Sequence, residues 1–170
     1  IVPNEYTHVA ALTDGAWKMQ VRAKDGVGNI SAWSAVGTVV IDTIPPTNTS
    51  ITINGGAAHT SSTGVTLSLG ATDPHPPIEM MIVNGESDGS CSGTGTWESL
   101  SGTRAWTVSS GDGVKWVCVK YQDALYNVTG WIKDSIIMDT TPPYHDPAAL
   151  GVHYAESGYG VMLSWAQYVD

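Results

Sequence analysis

Apolar and polar residues alternate one by one through most of this chain, in short runs that end at turn-forming residues. Val65, Leu67 and Leu69 are interleaved with Thr66, Ser68 and Gly70, which places one set on each face of an extended strand. The segment 49–54 alternates and stops at Asn54-Gly55-Gly56, and 78–83 stops at Asn84-Gly85; both endings are turn signals. Short strands are predicted at 96–100 and 103–109. The strongest strand is predicted at 114–121, with Val117, Val119 and Tyr121 on one face and Trp116, Cys118 and Lys120 on the other. A further strand at 130–138 is expected to return antiparallel to it. Seven short strands, each with one apolar face, predict a sandwich of two antiparallel sheets.

The pattern occurs twice. Asp14, Asp25, Asn29 and Trp33 match Asp112, Asp123, Asn127 and Trp131, each 98 positions later. After one deleted residue, Asp42 matches Asp139 and Pro45-Pro46 matches Pro142-Pro143, 97 positions later. A period near one hundred residues is the size of one sandwich domain. It divides the chain into the end of one unit at 1–44, a complete unit at 45–141 and the opening of a third at 142–170. Ile1 in place of an initiator Met, and an end in mid-pattern at Asp170, are what a piece of a longer chain would show. Each proline pair fixes φ twice and removes two donors. Such joints are expected to act as short stiff spacers.

Composition agrees with an all-β chain. Gly, Ser and Thr are abundant, Phe is absent, and charged residues make up 14% of the 170 positions. Seven Lys and Arg stand against sixteen Asp and Glu, a net charge of −9. The basic residues are dispersed, which argues against nucleic acid as a partner. No run approaches the roughly 20 apolar residues needed to span a bilayer as a helix.

Asp-Thr-(Ile/Thr)-Pro-Pro, together with the Val-x-Val-x-(Ala/Tyr)-x-Asp-x-x-x-Asn hairpin, complete at Val117 to Asn127 and matched over its last nine positions at Val21 to Asn29, resembles bacterial immunoglobulin-like surface repeats over residues 1–143. The third segment, ending Gly160-Val161-Met162-Leu163-Ser164-Trp165, is similar to the opening strands of a fibronectin type III domain, where Trp165 would be a core residue. The resemblance implies tandem immunoglobulin-like or fibronectin type III-like sandwiches at a bacterial cell surface or in a secreted protein. It implies a non-catalytic stalk that presents an adhesive or other functional domain, with neighbouring repeats as its partners. Where the pattern has Gly before the Asn, as in Gly28-Asn29, the complete unit has Tyr126-Asn127. Tyrosine is disfavoured at positive φ, so either Asn127 rather than Tyr126 is expected to carry any left-handed conformation, or this turn is expected to differ from the pattern.

Candidate chemistry is sparse. Cys91 and Cys118 are expected either to form a disulfide, with Cys118 turned away from the main core, or to remain two separate thiols. Asp25, Asp42, Asp73, Asp123 and Asp139 lie in turns and linkers. They would converge on Ca²⁺ or, more simply, bond to turn amides. His8, His59, His75, His145 and His153 share no zinc spacing and read as solvated loop residues. Of the seven tryptophans, Trp33, Trp131, Trp106 and Trp165 read as structural, and of the remaining three Trp97 and Trp116 are the candidate faces for a glycan or protein ligand. Asn29, Asn48 and Asn127 begin glycosylation patterns that a bacterial source would make coincidental. No nucleophile, base and orienting group recur in a catalytic pattern, so no enzyme activity is expected. A binding module, or an accessory segment of a secreted glycan-degrading enzyme, is the alternative to a spacer.

Overall fold

The computed structural model describes residues 12–143 together with 151–154 and 161–164. The chain is all-β, in several antiparallel sheets. β1 (Gly15–Met19) pairs with β2 (Gly37–Ile41) in a separate hairpin. The main body is a sandwich. One sheet has three strands: β3 (Thr47–Ile53) beside β5 (Gly64–Thr72) beside β8 (Thr103–Thr107). The other has five, in the order β4 (His59–Thr60), β10 (Ile132–Met138), β9 (Gly113–Gln122), β6 (Glu79–Asn84) and β7 (Glu98–Ser99). A last antiparallel pair joins β11 (Gly151–Tyr154) to β12 (Val161–Ser164), in the region expected to open a third unit. His8, His145 and Trp165 lie outside the described residues.

The alternation in the sequence is the alternation in burial. Along β5, Val65, Leu67 and Leu69 are buried while their neighbours face water. They meet Ile53 of β3 and, from the opposite sheet, Met80, Ile82, Val117, Val119, Tyr121, Ile136 and Met138. Burying one such side chain contributes about 1.5–3 kcal/mol, so this shared interior supplies most of what holds the sheets together. The expected strands are all present, with ends shifted by a few residues. Two features depart from expectation. β4 is only two residues long and runs parallel to β10, too short to leave a periodic signal. β3 begins at Thr47 with an irregular register before Ser50, and Asn48 has φ 49°.

β9 is buried on both faces. Val117, Val119 and Tyr121 enter the core as predicted, and Cys118 and Gln122 on the reverse face are buried as well. Cys118 is bonded to Cys91, with Cα atoms 6.0 Å apart. This bond pins the loop after β6 across the outer face of the sheet. The loop lies close: a Cβ on Gly89 would stand 2.8 Å from Cε2 of Trp116, and one on Gly85 would stand 3.1 Å from Sγ of Cys118. Gln122 is held there by a 2.6 Å bond from its Nε2 to Glu79. Among the described residues no helix is long and apolar enough to cross a membrane.

Two bonds cross between the sheets at β3. The Tyr121 hydroxyl donates to the Ser50 carbonyl at 2.7 Å, and Asp134 accepts from the Ile53 amide at 2.8 Å. Burial pushes the Tyr121 phenol up to about 12, because the charged form would sit in the core. A group whose folded pKa is raised stabilises the fold below its unfolded value, near 10, and that contribution disappears as pH climbs towards 12. Tyr121→Phe leaves the Ser50 carbonyl without its donor and is expected to lower stability at pH 7 by about 1–2 kcal/mol. Urea melts from pH 7 to 11 should show the wild type losing stability above pH 10 more steeply than the variant; parallel curves would contradict this.

Candidate functional site

The described residues gather most of their side-chain chemistry at one place, where the segment 42–46 enters the sandwich. Three stretches meet there: that segment, the loop 73–77 between β5 and β6, and the turn 123–127 after β9. The turn is built around a carboxylate. Asp123, only 2% exposed, accepts the Leu125 amide at 2.8 Å and the Asn127 amide at 2.9 Å on Oδ1, and Nδ2 of Asn127 at 2.8 Å on Oδ2. Burial opposes the charge, but the Asn127 side chain and these amides outweigh it, with His75 adding a smaller attraction. The carboxyl therefore sits below the ordinary range.

The same construction stands 98 residues earlier. Asp25 accepts the Val27 and Asn29 amides on Oδ1 and Nδ2 of Asn29 on Oδ2. Its carboxyl is likewise lowered, chiefly by Asn29. In both turns the residue before the Asn is left-handed: Gly28 at φ 102° and Tyr126 at φ 65°. The expectation that Asn127 would carry the left-handed conformation is therefore wrong. The physical reason is that bonds from Asp123 to residues 125 and 127, and the 3.2 Å bond from the Tyr126 amide to the Asp123 carbonyl, fix the path of the turn whatever residue occupies 126. Tyr126 tolerates it because its side chain is 77% exposed and meets no crowded neighbour.

Asn127 has a second amide proton, and it goes to the joint: Nδ2 donates to the Asp42 carbonyl at 2.9 Å. The Asp42 side chain, 5% exposed, meets Nδ1 of His75 at 2.6 Å. His75 is held by its own backbone, whose amide bonds to Asp73 at 2.7 Å and whose carbonyl accepts from Ala124. Behind Asp42, Thr43 donates to Asp14 at 3.0 Å, tying the segment back to the start of β1. Ahead of it, Pro46 is buried. The segment is thus clamped at both ends. Its later counterpart has the matching local form, since Asp139 accepts the Thr141 amide as Asp42 accepts the Ile44 amide. Thr140 and Thr141 likewise donate to Asp112 as Thr43 does to Asp14.

The other expected site residues separate. Asp25, Asp123 and Asp139 hold turn amides, as the simpler reading required. Asp42 and Asp73 come together with His75, each offering a ligand atom within 4.8 Å of the others. Three ligands fall short of the six to eight oxygens Ca²⁺ takes, and His75 already occupies one Asp42 oxygen. His75 is half-buried and bonded, a correction to its reading as a solvated loop residue; nothing in its spacing announced this. His59 is exposed. Trp116 and Trp97 are half-buried rather than open faces. The pinned loop lies against Trp116, with Nζ of Lys133 4.7 Å from the ring centroid. Trp106 spends its ring N–H on Asn84. Trp33 and Trp131 each carry a cation over the ring, Arg22 at 4.6 Å and Lys120 at 4.5 Å, and those cations are also 98 positions apart.

No family model and no curated protein matches this chain.

Left-handed backbone costs a residue with a Cβ about 1–2 kcal/mol, less the entropy that glycine adds to the unfolded chain. Tyr126→Gly is therefore expected to stabilise the sandwich by about 0.5–1 kcal/mol, read as a higher Tm. A lower Tm would show that Tyr126 contributes a contact worth more than the strain.

Proposed function

We propose that this chain is a stiff, non-catalytic spacer of tandem immunoglobulin-like units in a bacterial surface or secreted protein. The single observation that carries the reading is the clamp on Asp42. A linker meant to hinge freely gains nothing from giving up its backbone carbonyl to Asn127, its carboxylate to His75 and its proline to the interior. Each of those bonds fixes the direction in which one unit leaves the next. The paired proline adds its own restriction, and repetition would turn a fixed angle into a fixed length. The strand order, with three strands facing five and β9 at the centre of the larger sheet, fits the immunoglobulin-like class. The Cys91–Cys118 bond fits an oxidising, extracellular location. No observation favours the glycan-binding reading, since Trp97 and Trp116 are both partly covered.

The experiment is small-angle scattering on the wild type and on His75→Ala combined with Asn127→Ala. The wild type should give a narrow distance distribution, with the β1–β2 hairpin held at one angle to the sandwich. The double variant should broaden it while the sandwich stays folded, its Tm lowered by about 5–15 °C because Asp123 loses its Asn127 donor. Identical curves would show that the clamp does not set the joint.

A further inference from the structure

Asp42, Asp73 and His75 do more than fix the path of the linker. One ligand atom of each lies within 4.8 Å of the others, so two carboxylates and an imidazole nitrogen share one spot. Their surroundings hold them there while leaving atoms over. Asp42 gives Oδ1 to the Ile44 amide at 3.0 Å and turns Oδ2 to Nδ1 of His75. Asp73 accepts the His75 amide on Oδ1 at 2.7 Å, a bond that makes no use of its second oxygen. The His75 carbonyl accepts from Ala124, which steadies the loop carrying both residues. Side chains that ligate metals are held by outer bonds in this way. Asp25 and Asp123 differ, because each has both oxygens bonded within its own turn. Charge points the same way. The Asp42 side chain is 5% exposed, and Asp123 also feels the charge of His75. Among the described residues the ion-pair partner of Asp42 is this imidazole, which, unlike Lys or Arg, is not permanently charged.

The donor set selects the ion. Ca²⁺ takes six to eight oxygens, whereas Zn²⁺ accepts three side chains of mixed nitrogen and oxygen type with water in the fourth place. Imidazole suits the divalent transition ions generally. We propose that Asp42, Asp73 and His75 form a binding site for a divalent transition ion of the Zn²⁺ kind, which ties the linker to the loop 73–77. Bonds of about 2.0–2.2 Å put tetrahedral ligands about 3.3 Å apart. Nδ1 of His75 and Oδ2 of Asp42 stand 2.6 Å apart in their hydrogen bond. They part slightly as the ion takes the place of the shared proton, and a neutral His75 then carries its proton on Nε2. Asp73 closes from within 4.8 Å by a small side-chain rotation. The His75 side chain is 38% exposed, which gives the ion a way in from water. The site goes beyond the spacer reading and does not depend on it, since the three ligands meet whether the joint is stiff or not.

The test uses the chain after treatment with EDTA and removal of the chelator. Calorimetric titration near neutral pH should show Zn²⁺ binding, and Co²⁺ should give the intense visible bands of a tetrahedral site. About 0.1 mM Zn²⁺ should raise Tm by about 5 °C or more, because the ligands come together only in the folded chain. The same concentration of Ca²⁺ should leave Tm where it is. Two variants keep the local bonds while removing a ligand. His75→Gln retains a donor for Asp42, and Asp73→Asn retains the oxygen that accepts the amide of residue 75, so both are expected to fold, as circular dichroism would verify. Each should weaken Zn²⁺ binding by at least about tenfold and abolish the Tm shift. A wild type that binds no Zn²⁺ would overturn the proposal. So would either variant that keeps the full affinity and shift, because the ion would then sit on other histidines of the chain. A Tm that responds to Ca²⁺ and not to Zn²⁺ would also sink it. The scattering test of the clamp is made in EDTA, so the two results stand apart.

Discussion

The buried carboxylate of Asp123 organises the joint. A charge 2% exposed would be costly to keep in place unless its oxygens were met by donors, and three N–H groups from the following four residues meet them. That satisfaction dictates the turn. It puts Tyr126 in the left-handed region and aims the Asn127 side chain so that one of its protons remains for the Asp42 carbonyl. Without the carboxylate, Asn127 would have no reason to point at the linker, and the Asp42 carbonyl would lose its bond to the sandwich. One interaction thus connects local turn chemistry to the segment 42–46.

The turn is stiff because of where it grows. It extends from β9, the strand buried on both faces, and stability in a folded chain concentrates in such strands. The second face of β9 is buried only because the loop after β6 is drawn across it by the Cys91–Cys118 bond and lies flat on Trp116. Glycine at 85 and 89 is what allows that approach, since a Cβ at either would run into Trp116. The disulfide acts far from the joint, yet it bears on it by keeping water from the strand that carries the turn.

The strands were legible because their period is two and one face of each is wet. Val65, Leu67 and Leu69 announce β5 outright, and Val117, Val119 and Tyr121 do the same for β9. The linker and turn motifs were legible as a repeat. The clamp was not. His75 and Asp42 are 33 positions apart, and no local pattern links them; their meeting depends on where the sandwich places the loop after β5. Asn127 could have been found, because an Asn retained at both 29 and 127 while its neighbour changes from Gly to Tyr points to a task for the amide. The misassigned left-handed residue has the same root. Intrinsic preference was weighed at Tyr126 alone, whereas the backbone there is set by bonds that residues 123, 125 and 127 make.

The strongly acidic balance of the chain invites another account of stiffness, in which like-charged units simply push apart. The magnitudes decide against it. Repulsion between exposed carboxylates is screened within about 8 Å at physiological salt, while successive units of this size have centres several times farther apart. The carboxylates flanking the two linkers keep their charge but are tied locally: Asp14, Asp42, Asp112, Asp123 and Asp139 all accept hydrogen bonds from their own turns and linkers. Acidity keeps such a surface soluble, but it sets no angle. On the spacer reading proposed above, direction between units would have to come from short-range contacts, and the bonds to Asp42 are of that kind.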